Sequence, residues 1–151
     1  YCDAMHSPEG ATPHTVAVWT LLTRAATAAR DGIEAALSSA GLPPLAWYDV
    51  LWEIEKAGAG GVRPFEVQDR LLLPQYGLSR LIARLETAGL VIRAPSPADG
   101  RGQVVTLTDE GRRLRAAMWP VYSAALARHI GARLSADEAE RLAALLAGLL
   151  P

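Results

Sequence analysis

Residues 74–111 read PQYGLSRLIARLETAGLVIRAPSPADGRGQVVTLTDEG. Leu78, Leu81, Ile82 and Leu85 recur in steps of three and four, the spacing that lines one face of a helix. Ser79, Arg80, Ala83 and Arg84 fall on other faces, and Arg80 and Arg84, four apart, are neighbours on the helix surface. Gly89 is placed to close the helix as a left-handed residue. Val91-Ile92-Arg93 and Gln103 to Leu107 then read as two short strands. Between them Pro95 to Gly102 forms a proline- and glycine-rich hairpin tip, with Arg101 between Gly100 and Gly102. A major groove admits one α-helix, and side chains near its N-terminal end read the base edges. Gln75, Tyr76, Ser79 and Arg80 occupy that end. Gln pairs bidentately with adenine and Arg with guanine, whereas Tyr76 and Ser79 suit phosphate or a thymine methyl. An arginine on a mobile hairpin suits a narrow, electronegative minor groove.

Outward from this stretch the chain reads as helices. Thr12-Pro13 supplies a cap and a proline at the first helical position. Trp19, Leu22, Ala26, Ala29, Ile33, Leu37 and Ala40 then make a long apolar stripe that ends at Gly41. Pro43-Pro44 opens a second helix with Trp47, Val50, Leu51 and Ile54 inward, broken by the glycines at 58, 60 and 61. A short third helix from Pro64 is expected to turn Phe65 and Leu71 inward, before a turn at Leu73-Pro74. Thr108 caps a fifth helix whose first residues, Asp109 and Glu110, complement its dipole. It is expected to reach about Arg133, kinked at Pro120. Ser135 to Glu138 is a capping box for a last helix bearing Leu142, Leu145, Leu146 and Leu149. The fold class is mainly α with a small β-wing: a winged helix-turn-helix lobe joined to a helical region.

The 151 residues suffice for one domain with a core, and 50% hydrophobic with 21% charged residues is a globular balance. The net charge is −1, but it is uneven. From Arg63 to Arg115 there are nine arginines and six acids, a balance of +3, against six cations and ten acids elsewhere. A basic middle in an acidic body is a modest electrostatic footprint for a polyanion. Fourteen of the fifteen cations are arginine, only Lys56 being lysine. The bias suits bidentate contacts, and a GC-rich genome would produce it too. No uninterrupted apolar run of about 18 residues occurs. No leader segment is expected, and the sequence predicts a cytoplasmic protein.

The order of elements and the residues Pro74 to Glu86, Ala88-Gly89-Leu90-Val91 with Arg93, Asp99-Gly100-Arg101, and Val105 to Gly111 resemble the MarR family of bacterial transcription regulators. The resemblance runs from Thr12 to the end. It implies a homodimer built by the first, fifth and sixth helices, a fourth helix that reads the major groove, and a wing arginine in the minor groove. It also implies release of the DNA by small phenolic or other aromatic ligands. In these terms 1–151 is one domain, with 12–41 and 109–150 as the dimerisation region and 44–108 as the winged-helix lobe. The DNA-binding set is Gln75, Tyr76, Ser79, Arg80, Arg84, Asp99 and Arg101. Asp99 is expected to pair with an arginine and shape the wing. The family wing has the same Asp-x-Arg pattern, and Gly102 is a departure from it. The expected partner is a pseudo-palindromic duplex, and the expected role a repressor.

Tryptophans stand at 19, 47, 52 and 119, and with Tyr48 and Tyr122 they fall on the first, second and fifth helices. Rings with polar tips can stack on a planar ligand, and rings at helical spacing also simply fill a core. The ligand set read from them is Trp19, Trp47, Tyr48, Trp119 and Tyr122, and the ligand expected is a small, acidic aromatic. Cys2 is the only cysteine, which excludes an internal disulfide. Cys2, His6 and His14 match no common zinc spacing, so no metal and no cofactor are expected. The sequence holds no phosphate loop, nucleophile elbow or His–carboxylate cluster, so an enzyme is not expected. The alternative readings are a helical ligand-binding or protein-interaction module that no longer binds DNA, and a redox sensor acting through Cys2.

Overall fold

The computed structural model describes residues 10–72, 76–98 and 100–151. Cys2, His6, Gln75 and Asp99 lie outside them. Six α-helices follow in order: α1 (Pro13–Ser39), α2 (Leu45–Ala57), α3 (Pro64–Arg70), α4 (Leu78–Thr87), α5 (Asp109–His129) and α6 (Ala136–Ala147). Between α4 and α5, β1 (Val91–Pro95) and β2 (Gln103–Leu107) pair antiparallel, with Arg93 opposite Val105. The caps are those the side chains predict. Thr12 Oγ1 accepts from Thr15 N–H, Thr108 Oγ1 from Gly111 N–H, and Ser135 and Glu138 satisfy each other's backbone in a capping box.

Two cores share α2. Val50, Leu51 and Ile54 pack with Val67, the stripe Leu78, Leu81, Ile82 and Leu85, and Leu90, Val91 and Val105 of the winged lobe. Leu45 and Tyr48, earlier on α2, pack instead with Ile33 and Leu37 of α1 and Met118 and Ala125 of α5. Leu114 touches both clusters. Movement of α2 against α5 is therefore felt in both halves of the chain.

The structure corrects four expectations. Phe65 is 64% exposed, because the inward positions of α3 fall on Val67 and, one turn later, Leu71. The fifth helix stops at His129 and is followed by a 3₁₀ turn at Gly131–Arg133. The His129 imidazole lies against α1 at Gly32, where a β-carbon would meet its Nε2 at 2.2 Å. Helix α4 begins at Leu78, with Gly77 as its left-handed cap (φ 82°), so Tyr76 stands in the turn before it. The sheet is also larger than expected: β1 runs on from Arg93 to Pro95, and β2 gains a partner on its other side. Val62, between α2 and α3, bridges to Val105 through reciprocal N–H to carbonyl bonds of 3.1 and 2.8 Å.

Much apolar surface stays outside both cores. On α1 only Ile33 and Leu37 are buried, and Trp19 and Leu21 are 68% and 66% exposed. No residue of α6 is buried, and Leu142 and Leu145 face outward.

Candidate nucleic-acid interface

The fourth helix presents its polar side as a block because its apolar stripe is fully committed to the core. Ser79, Arg80, Ala83 and Arg84 are all exposed. Among the described residues, Arg80 and Arg84 enter no ion pair. Glu86, the acid nearest them in sequence, is drawn to β1 instead, where its Oε2 lies 3.1 Å from Arg93 Nε in an ion pair short of hydrogen-bond alignment. Tyr76 is entirely exposed just ahead of the helix. Tyr76, Arg80 and Arg84 line one groove with Trp47, Pro44 and Ala46. Trp47 thus belongs to the floor of this basic groove and packs on the winged-lobe core.

The wing is a closed turn. Ser96 N–H donates to the Gly102 carbonyl at 3.2 Å, and Gly100 N–H to the Ser96 carbonyl at 2.9 Å, with Ser96 itself buried. Gly100 and Gly102 both take positive φ (65° and 69°), which other residues adopt only with strain. That leaves Arg101 exposed between two bends.

A second constellation lies between α2 and α5. Tyr48 stacks on Trp119 (centroids 6.1 Å apart, planes 22° apart), and both meet Tyr122 edge-on, at 5.1 and 5.7 Å. These rings, with Leu45, Asp49 and Trp52, line a cavity of about 240 Å³. Burial, and then the charge of Asp49, push the Tyr122 phenol above its ordinary value. At the rim Arg115 sits 5.0 Å over the Trp52 ring and is held by both oxygens of Glu55. Its hydrogen bond to Glu55 raises the guanidinium above its ordinary value. The structure thus brings together Tyr48, Trp119 and Tyr122 of the expected ligand set. It leaves Trp19 on the exposed half of α1 and Trp47 in the basic groove. Of the polar and aromatic residues in the described lining, Trp52 and the buried Asp49 stand outside the expected ligand set. The signal was the spacing 45, 48, 49, 52, a second inward face on α2.

Among the described residues, no group of three His, Cys, Asp or Glu could hold a metal, and no helix is long and apolar enough to cross a membrane.

With this geometry in view, the similarity to known proteins is specific. The sequence model of the MarR family matches residues 40–102, from the end of α1 through the wing. The multiple antibiotic resistance protein MarR of Escherichia coli K12 is 32% identical over 106 residues, 70% of this chain and 72% of that protein. The chain belongs to the MarR family. Its relative YkoM, an HTH-type transcriptional regulator of Bacillus subtilis 168, is 32% identical over 81 residues, and the match spans about half of each protein (54% of this chain and 52% of YkoM). Among solved MarR-family structures, Sco3205 of Streptomyces coelicolor, in complex with DNA, superposes with a TM-score of 0.82 at 27% identity, covering 97% of this chain and 94% of that one. Escherichia coli MarR superposes at 26% identity, covering 95% of this chain and all of that one. Its TM-score is 0.78 for a cysteine-to-serine mutant complexed with operator DNA and 0.71 for the apo form. The MarR-type fold of this chain is thus closer in shape to the operator-bound form of that relative than to its apo form.

Proposed function

We propose that this MarR-family protein is a sequence-specific, double-stranded DNA-binding repressor that acts as a homodimer in the cytoplasm and is released by a small aromatic ligand. The observation that carries the DNA reading is the pairing of an exposed Arg80–Arg84 face on α4 with an arginine held at the tip of a closed wing. One suits the major groove and the other the minor groove. The solved relatives in complex with DNA, Sco3205 and the MarR mutant, support the same reading.

The homodimer rests on surface energetics. Trp19 and Leu21 of α1 and Leu142 and Leu145 of α6 are large, exposed and on the two terminal helices. Burying apolar area at about 25 cal/mol per Å² favours their association with a second copy. The ligand reading rests on the ring-lined cavity between α2 and α5, the helices that join the two cores. A ligand there acts by favouring one arrangement of α2 against α5 over another.

Selection of bound sequences from a random duplex pool, with light scattering of the free protein, tests this directly. A pseudo-palindromic consensus with half-sites about one helical turn apart, bound by a dimer, is the expected result. A monomeric mass at micromolar concentration removes the dimer. Failure to enrich any sequence favours the module that has given up DNA.

A further inference from the structure

The wing is held at its root from the side away from β1. Val62 pairs with Val105 across the far flank of β2, so residues 61–63 run antiparallel beside the strand that returns from the wing. Gly61 lets this segment lie close, since a β-carbon there would meet Val104 Cγ2 at 2.9 Å and Thr106 Cγ2 at 3.0 Å. Arg63 follows Val62 and caps α3, its N–H donating to Glu66 Oε2 at 3.0 Å. Its backbone is thus fixed by the sheet on one side and by α3 on the other. Its side chain reaches the wing: Nη1 lies 3.6 Å from where a β-carbon on Gly102 would stand. Gly102 follows Arg101 directly, and its carbonyl accepts from Ser96 N–H at the neck of the wing. Arg63 is further engaged within the fold, so it is no spare cation for a phosphate.

We propose that Arg63 is a positioning residue for DNA binding: it holds the root of the wing so that Arg101 is presented to the minor groove in one direction. Arg101 stands between two glycines of positive φ, whose backbones no side chain restrains. An arginine on such a tip gives up conformational freedom when it enters a groove, and a root that is already held lowers that cost. Arg63 thus acts on the duplex through Arg101 and not by touching it. The proposal rests on the reading of α4 and the wing as a duplex-binding surface.

Four full-length proteins test it: the parent, Arg63→Met, Arg101→Ala and the double variant. Each is titrated by anisotropy against the operator selected from random duplexes, at three salt concentrations. Arg63→Met is expected to weaken operator binding about fivefold in the parent, and by no more than about twofold once Arg101 is alanine, the coupling that marks two groups acting as one. Equal losses in both backgrounds, with the salt slope lowered by about 1, would make Arg63 a phosphate contact in its own right and overturn the proposal. Parent-like binding by Arg63→Met overturns it as well. Arg63→Lys keeps the charge without the planar head, and carries the same cycle if the methionine variant fails to fold. It is expected to show a loss that disappears with Arg101→Ala, and parent-like binding by it would mean that charge alone suffices, against the proposal. Failure of the parent to bind any duplex removes the DNA reading itself, and the role of Arg63 with it. Parent binding without the coupling removes the role of Arg63 alone.

Discussion

The carbonyl oxygen of Leu90 stands where a side chain on Gly111 would have to be: a β-carbon there would come within 2.1 Å of it. Leu107 Cδ1 would be 2.8 Å away on another side. Two hydrogen bonds close the same junction, Thr108 N–H to the Leu90 carbonyl at 3.0 Å and Thr108 Oγ1 to the Gly89 carbonyl at 2.7 Å. The first turn of α5 is thereby fixed to the turn that follows α4.

Gly111→Ala is expected to destabilise the fold, although alanine is the better helix former. The obstruction is backbone, which cannot rotate away, and overpacking of this kind costs about 1 to 3 kcal/mol. Urea denaturation of the two proteins measures it. A variant as stable as the parent would mean that the junction opens easily, and that α5 does not hold α4 firmly.

The pair Glu55–Arg115 is the corresponding clamp between α2 and α5. Both side chains are 18% exposed, the guanidinium engages both carboxylate oxygens, and it covers the Trp52 ring. Half-buried and bidentate, it should exceed the 0 to 1 kcal/mol typical of surface pairs. Arg115→Met alone leaves Glu55 with Arg112 at 3.8 Å, a poorer partner, and is expected to cost about 1 to 3 kcal/mol. A double-mutant cycle with Glu55→Gln isolates the coupling, and a value near zero would show that the clamp is surface decoration.

These contacts mark where the sequence stops being legible. The stripe Leu78, Leu81, Ile82 and Leu85 is readable because one helix face serves one core, and all four are buried. The hairpin is readable because Gly100 and Gly102 announce its bends. Helix α2 is not readable in the same way. It faces two cores, so the familiar spacing of Val50, Leu51 and Ile54 hides the second face that carries Tyr48, Asp49 and Trp52. Four tryptophans on three helices do not say which meet, since that depends on how the helices pack. Trp47 and Trp52, five residues apart, end in different grooves. The Val62–Val105 bridge is a single pair with no periodicity to find.

Tyr122 gives a pH dependence with a definite sign. Burial and the charge of Asp49 raise its folded value above the ordinary one of about 10. The unfolded chain therefore ionises first. The stabilisation is fully present below pH about 10 and is lost as the pH rises through the folded value. Relative to Tyr122→Phe, the parent protein is expected to lose stability between pH 9 and pH 11 (about one unit either side of the free phenol value). Parallel denaturation curves across that interval check it. A parent that gains on the variant would reverse the assigned cause.

Arg80 and Arg101 are expected to fail differently on DNA, because in the proposed binding mode one faces bases and the other a groove lined by phosphates. Arg80 stands two residues into α4 on its exposed side, a position that reads base edges when the helix end enters a major groove. Arg80→Ala is expected to cost about 1 to 3 kcal/mol on the selected operator and to relax the choice at one base pair in each half-site. Arg101, at the wing tip, has no unique pattern of base edges to read in a minor groove. Arg101→Ala is expected to weaken all duplexes by similar factors and to lower the salt slope by about 1 per wing. Anisotropy titrations on the operator and on a scrambled duplex, at three salt concentrations, separate the two patterns. Exchange of the patterns would place the wing, not α4, in the major groove. Operator binding by both variants that matches the parent would remove the winged-helix reading of this surface altogether.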